Sequence, residues 1–362
     1  MRVAVLTPGY APTVGGVETT ATHLCEGLAA RGVEVEVWTH RPEGPGADHE
    51  RVNGVDIRRF AHNRSARFPV SPSLWAHARR ARDEVDLVHA HSYHSSAAVG
   101  ALFASGVPVV FTPHYHGGGH TAAARILHLP YRWVGRRLFA RALAVVAVSE
   151  AERSLIVEDF AGAATRTEVI HNAVRLDSLH RAEPFDDVPP TLLVLGRLER
   201  YKRVDLVLQA FGQVSRPGRL VIVGDGPDRG RLQNLVERHP RRDDIRLPGR
   251  LDRADVDRWL RTARGVVNMS EHEAFGIVGL EGVAAGARAV LSDLPAHREL
   301  RELLPPGLVE ITAGGPELAA SLTGALTRAL SEPNAGPRPV RDWTSVADEY
   351  LALYRRILAS AA

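Results

Sequence analysis

The stretch Ser270-Glu271-His272-Glu273-Ala274-Phe275-Gly276-Ile277-Val278-Gly279-Leu280-Glu281-Gly282-Val283-Ala284-Ala285-Gly286 decides how the chain folds. It follows Gly265-Val266-Val267-Asn268-Met269, a short apolar run suited to a buried parallel strand. A glycine turn at Gly276 then opens a helix, with Val278, Leu280, Val283 and Ala284 as its apolar stripe and Gly286 as its stop. Strand, glycine turn and helix in that order make a unit of an α/β fold. N–H groups at such a helix start, from Phe275 to Val278, lack intrahelical partners and favour anionic oxygens such as those of phosphate. Glu273 stands just before the turn and Glu281 inside the helix. A carboxylate accepts two hydroxyls at once, which suits the diol of a ribose or a hexose. Phosphate donors between two such acids describe a site for a sugar nucleotide.

By spacing alone, two glutamates with seven residues between them would equally suit the exposed face of an ordinary helix. The whole string is more specific. Glu273-Ala274-Phe275-Gly276-Ile277, then Glu281, Ala284-Ala285-Gly286 and Ser292-Asp293-Leu294-Pro295-Ala296-His297-Arg298-Glu299-Leu300, closely resembles the signature of family-four retaining glycosyltransferases of the GT-B fold. That resemblance implies an α/β chain of two Rossmann-like domains facing a central cleft. It is densest at 270–299, good at 196–203 and 224–227, and looser in the first domain.

A chain of 362 residues fits two domains better than one. A hydrophobic share of 44% and a charged share of 24% are ordinary for a globular protein. The net charge of +3 demands no nucleic-acid partner, and none is expected. Lys202 is the only lysine, in a chain otherwise rich in arginine. Cys25 is the only cysteine, which excludes an internal disulfide and fits a reducing compartment. No stretch reads as a signal peptide or a membrane span, so a cytoplasmic protein is expected.

Residues 3–6, a loop through Gly15-Gly16, a helix carrying Leu24, Cys25, Leu28 and Ala29, and a strand at 33–37 read as the start of a doubly wound domain. Gly15-Gly16 lets the backbone approach a ligand closely, or is a plain turn. Residues 41–54 read as a surface loop. Strands at 85–88 and 107–112 run into His89-Ala90-His91 and His114-Tyr115-His116, at the carboxyl edge where open α/β sheets bind ligands. Histidines 89, 91, 94, 114, 116 and 120 raise a zinc reading, yet no cysteine or clear carboxylate set joins them, and no metal site is expected. Residues 125–142, with Tyr131, Trp133, Leu138 and Phe139 among arginines, read as a packing helix or as one resting on an anionic membrane surface. Residues 183–190 read as a linker. Beyond it, Arg197 and Lys202 bracket one loop and can neutralise a diphosphate together, or form surface ion pairs. Leu220-Val221-Ile222-Val223 runs into Gly224-Asp225-Gly226-Pro227, a second turn able to meet phosphate or base, without the third glycine of a dinucleotide fold.

The resemblance then implies roles. Residues 1–183 form an acceptor domain, with a C-terminal helix at 343–362 packing back on it, and 191–342 form the donor domain. A hexosyl unit would move from a nucleotide-diphosphate sugar to an acceptor hydroxyl with retention. Arg197 and Lys202 would hold the departing diphosphate, Glu281 the ribose, and Glu273 the sugar hydroxyls. His114 would orient the sugar near its reacting carbon, and His116 and His120 would lie on the acceptor loop. Gly15, Gly16 and Glu18 would approach the diphosphate and acceptor. Gly226, Arg250 and Leu251 would line the nucleotide, the base being met by backbone groups of 245–251. Ala173 and Arg175 depart from the family's usual glycine and aspartate between the domains. No residue stands out as a covalent nucleophile, and same-face attack assisted by the leaving phosphate is what the resemblance implies. No cofactor or divalent ion is expected to be required. The acceptor would be a glycolipid, a polysaccharide or a secondary metabolite, reached at the inner face of the membrane if 125–142 touches lipid. The rival readings are a nucleotide-sugar epimerase of the same fold and a non-catalytic two-lobed sugar-binding protein.

Overall fold

Apolar runs such as Val3-Ala4-Val5-Leu6 and Leu220-Val221-Ile222-Val223 are buried throughout, as parallel strands covered on both faces must be. The computed structural model describes residues 1–13, 15–42, 47–63, 69–117 and 122–361, with the backbone alone for 122–130. The chain divides into two compact units. One is Met1–Asn172 together with the residues from Trp343 onward; the other is Ala173–Asp342.

The sheet of the first unit comprises β1 (Arg2–Thr7), β2 (Glu34–His40), β3 (His49–Val52), β4 (Val55–Phe60), β5 (Leu87–His91), β6 (Val109–Thr112), β7 (Ala144–Ala147) and β8 (Thr167–Val169). Its order is β3-β4-β2-β1-β5-β6-β7-β8, parallel except for the β3–β4 pair, and it reverses direction between β1 and β5. β3 corrects the reading of 41–54 as loop throughout. It is a short, mostly exposed strand joined to β4 by Asn53-Gly54, both at positive φ, the two-residue turn that favours a hairpin. Its sequence, His-Glu-Arg-Val, carries no apolar run to announce it.

In the second unit β9 (Thr191–Leu195), β10 (Arg219–Val223), β11 (Ile245–Gly249), β12 (Gly265–Asn268), β13 (Arg288–Leu291) and β14 (Val309–Ile311) form an all-parallel sheet ordered β11-β10-β9-β12-β13-β14. Here the order reverses between β9 and β12, and that reversal opens a crevice at their carboxyl ends.

The unit boundary falls before 183. Helix Leu176–Arg181 belongs to the second unit, and the proline-rich stretch after it is fastened rather than free. The Phe185 N–H donates to Thr262 Oγ1 at 2.8 Å, and its ring lies 4.6 Å from that of Trp259. Helix Trp343–Ala361 belongs to the first unit and lies against helix Gly16–Ala29. Arg31 holds Asp348 there, while Tyr350 and Tyr354 are buried beneath. Among the described residues, no helix is long and apolar enough to cross a membrane.

Candidate active site

The loops leaving β9 and β12 meet at the crevice of the second unit. The Glu271 N–H donates to the Tyr201 carbonyl at 2.8 Å, and Arg203 Nη1 to Glu271 Oε1 at 2.9 Å. This junction sets Lys202 Nζ 2.7 Å from Glu273 Oε1, with the side chains only 20% and 17% exposed. The same oxygen accepts from Asn268 Nδ2 and Ser270 Oγ, each at 2.9 Å, so three donors converge on Oε1 and none of them on Oε2. Burial pushes the Glu273 carboxyl up, but Lys202 and Asn268 outweigh it and hold the group down at about 2. Burial likewise lowers the ammonium of Lys202, and the charge of Glu273 reverses that, so its pKa is raised.

Directly after Glu273 the chain turns at Gly276, whose φ of 96° and ψ of 44° are left-handed, and helix Ile277–Ala284 begins. A Cβ at Gly276 would sit 2.9 Å from His297 Cδ2, so strain and crowding both demand glycine. His297 is fully buried, and its Nδ1 lies 2.9 Å from the Ser292 carbonyl, which can only accept. The N–H groups of Ile277 and Val278 are left without intrahelical acceptors. Phe275 is buried beside the turn.

Glu281, one turn into this helix, is 7% exposed, and its Oε1 accepts from Arg253 Nη1 at 2.7 Å. Arg253 Nη2 lies 2.7 Å from Oδ1 of Asp257. Asp255-Val256-Asp257 is an Asp-x-Asp spacing, but it lies within helix Arg253–Thr262, where Asp257 is buried against Arg253. The loops 196–198 and 224–228 are stitched together by Leu198 N–H to the Asp225 carbonyl and Asp228 N–H to the Leu198 carbonyl. A side chain at Gly226 would run into the Leu198 backbone. Arg250 and Leu251 follow β11 directly. Arg197 lies apart from Lys202: its side chain turns outward, 70% exposed, with Nε 2.9 Å from Glu199 Oε1, while the neighbouring Leu198 is buried.

In the first unit, Gly15 caps helix Gly16–Ala29, and a Cβ there would run into the Glu18 carboxylate, which therefore sits over the helix start. Gly16 faces open space. His89 and His91 are fully buried inside β5 rather than lying in a polar rim. His89 Nδ1 meets the Tyr354 hydroxyl at 2.7 Å and its Nε2 meets Thr112 Oγ1 at 2.8 Å. His91 Nδ1 lies 3.2 Å from Nε2 of half-buried His114, just past β6. Burial and the neighbouring His116 lower His114 to about 4, so it is neutral at pH 7. The adjoining Tyr115 N–H donates to buried Glu152, which also accepts from Val148 N–H at 2.7 Å. His120 lies outside the described residues. Among those described, no group of three or more His, Cys, Asp or Glu side chains could hold a metal ion.

Two family models cover most of the chain. The model described as Glycosyltransferase Family 4 matches residues 14–178, and that described as Glycosyl transferases group 1 matches 177–330. The chain belongs to glycosyltransferase family 4. This glycosyltransferase is 29% identical to the phosphatidyl-myo-inositol mannosyltransferase of Mycobacterium leprae, across 99% of its own length and 98% of the relative's. It is 28% identical to the GDP-mannose:cellobiosyl-diphosphopolyprenol alpha-mannosyltransferase of Xanthomonas oryzae, over 85% and 83% of the two chains. Its GT-B fold is shared with sucrose-phosphate synthase from Thermosynechococcus elongatus, at a TM-score of 0.82, 20% identity and 99% coverage of both chains. Anabaena HepE in complex with UDP-glucose superimposes at 0.73, with 18% identity and 99% coverage of both.

Four residues of this candidate site escaped the sequence reading: Asn268, Ser270, Arg253 and Asp257. Asn268 and Ser270 stand at the carboxyl end of β12, a position that could have been weighted, whereas Arg253 and Asp257 carry no such signal. A separate cavity of about 320 Å³ lies at the amino ends of β9 and β12, lined by Phe185, Pro189, Arg261, Arg264 and Asn334. None of these carries a catalytic or binding role in the sequence reading; Phe185 and Pro189 belong to the stretch that reads as a linker.

Proposed function

We propose that the glycosyltransferase is a retaining hexosyltransferase whose donor is a nucleoside-diphosphate sugar held by the second unit. The observation that carries this reading is the Lys202–Glu273 pair, set against the Gly276 turn at the sheet's reversal point. Lys202, the N–H groups of Ile277 and Val278, and Arg197 swung from its exposed position would take the diphosphate. Fixed donors aimed at a departing diphosphate are worth several kcal/mol, roughly 3–4 for one well-placed group. Glu273 keeps one oxygen for sugar hydroxyls, Glu281 takes the ribose diol, and Gly226, Arg250 and Leu251 lie on the nucleotide side. His114 is neutral and donates or accepts at Nδ1 towards the sugar. Gly15 and Gly16 serve the acceptor side, and Glu18 at that helix start argues against a phosphate resting there without rearrangement.

In this reading, which follows from the family resemblance, the acceptor hydroxyl attacks from the face the diphosphate leaves, and the leaving phosphate oxygen takes its proton. The M. leprae and X. oryzae relatives act on lipid-linked acceptors by name, which supports a glycolipid acceptor. Trp133, 58% exposed with the Arg137 guanidinium 3.0 Å above its ring, supports a peripheral contact with an anionic bilayer on the cytoplasmic side. Nothing in the two units favours an epimerase or a non-catalytic binder.

Calorimetry with UDP-, GDP-, ADP- and dTDP-hexoses tests the donor reading, and proton NMR of the sugar first released by slow hydrolysis tests retention. One nucleotide class should bind, more weakly to Lys202→Met, and the sugar should keep the donor's anomeric configuration. An inverted sugar would overturn retention; no binding by any donor would overturn the site.

A further inference from the structure

Glu281 does not stand free at the donor site. Its carboxylate is held at one oxygen by Arg253, and Arg253 is itself held by Asp257. Three features make this a built arrangement. Both acids are almost fully buried, Asp257 at 1% and Glu281 at 7% exposure, so each needs a partner charge. Arg253 is the first residue of its helix, and Asp252 caps that helix by accepting the Asp255 N–H at 2.9 Å, which fixes where the guanidinium starts. The guanidinium then spends its two terminal nitrogens on two different carboxylates, Nη1 on Glu281 and Nη2 on Asp257, a division between two fixed nitrogens that a single ammonium nitrogen does not reproduce.

We propose that Arg253, braced by Asp257, is a positioning residue that presets the Glu281 carboxylate for the cis-diol of the donor's ribose. The inference rests on Glu281 being the ribose acceptor, as in the function proposed above. Pinning Oε1 removes most of the rotation of the carboxylate before ligand arrives and leaves Oε2 to accept hydroxyls, so less side-chain freedom is lost on binding. Arg253 itself touches no hydroxyl in this scheme. The Asp257 side of the fork keeps the guanidinium from following Glu281 or swinging to a ligand phosphate.

The test compares affinities for ribonucleoside diphosphates and their 2′-deoxy counterparts (UDP and dUDP, GDP and dGDP, ADP and dADP), by calorimetry on the full chain. A charged hydrogen bond to the missing hydroxyl predicts a preference of about tenfold or more for the ribo form in the wild type. Arg253→Lys keeps the buried charge balance, so the protein should stay folded, but its one mobile nitrogen replaces the two fixed contacts that set the Glu281 carboxylate. Asp257→Asn removes the brace alone and serves as a second variant. Both should bring the ribo/deoxy ratio towards one while the deoxy form keeps its affinity. A ratio unchanged in both variants, or equal weakening of the two ligands, would show a merely structural role and overturn the inference. Glu281→Ala separates the two levels. If it abolishes the ratio and the Arg253 and Asp257 variants do not, only the positioning role fails; if it leaves the ratio intact, the ribose assignment fails and the inference with it.

Discussion

Glu273 is the residue whose ionisation the surroundings work hardest to secure. Its folded pKa is about 2 against an ordinary 4.5, a depressed carboxylate. Such a group contributes stability above its unfolded pKa and loses it as pH falls from about 5 to about 2, because the unfolded state takes up its proton first. The full contribution is on the order of 3 kcal/mol. Urea unfolding of the wild type at pH 6 and pH 3 should therefore show a loss that Glu273→Gln lacks over the same interval. A pH dependence unchanged by the substitution would mean that Glu273 is not the depressed group. Because Lys202 is the only lysine, [15Nζ]lysine labelling gives a single side-chain signal from this site. It should titrate above the ordinary lysine range, as its partnership with Glu273 requires, and in Glu273→Gln it should titrate lower.

Among the elements, the loop carrying His114 is fixed from behind rather than from its own sequence. Helix Glu150–Asp159 places Glu152 so that its two oxygens accept from Tyr115 and Val148, and burial raises that carboxyl to about 8. Glu152→Gln turns an amide NH2 against one of those N–H groups. It should cost about 1–3 kcal/mol in chemical denaturation, where a simple loss of charge at the surface would cost almost nothing. Gly276→Ala meets both the left-handed backbone and His297, and should lose about 1–2 kcal/mol from the backbone alone. A melting temperature equal to that of the wild type would contradict the turn's role. These elements differ in how far they could be read in advance. β1, β9, β10 and β12 are runs of consecutive apolar residues, and the Gly276 turn is marked by a glycine after Phe275, so strand, turn and helix were legible. β3 was not, since an exposed four-residue edge needs no apolar side chains. The anchoring of 183–190 depends on Phe185 finding Trp259 across 74 residues, and proline content alone reads as a free linker. Arg253 was invisible because a charged first residue of a helix is ordinary; only the fold reveals two buried acids beside it.

At the scale of the whole molecule, the chain leaves the first unit once and returns to it as helix Trp343–Ala361. The return matters to the site because Tyr354 and Tyr350 from that helix brace His89 and Thr112, on strand β5, which ends at His91, and strand β6, which leads into His114. Tyr354→Phe leaves one nitrogen of a buried histidine unsatisfied and should destabilise by about 1–3 kcal/mol in urea unfolding. The central claim is that the second unit grips a nucleoside-diphosphate sugar through the elements around its strand reversal. Release of free nucleoside diphosphate from a panel of UDP-, GDP-, ADP- and dTDP-hexoses, without acceptor, tests it most directly, with Glu281→Ala beside the wild type. Slow release from one nucleotide class, reduced at least about tenfold by the substitution, is the predicted result. Release that Glu281→Ala leaves unchanged, or no binding or release with any donor, would contradict the account.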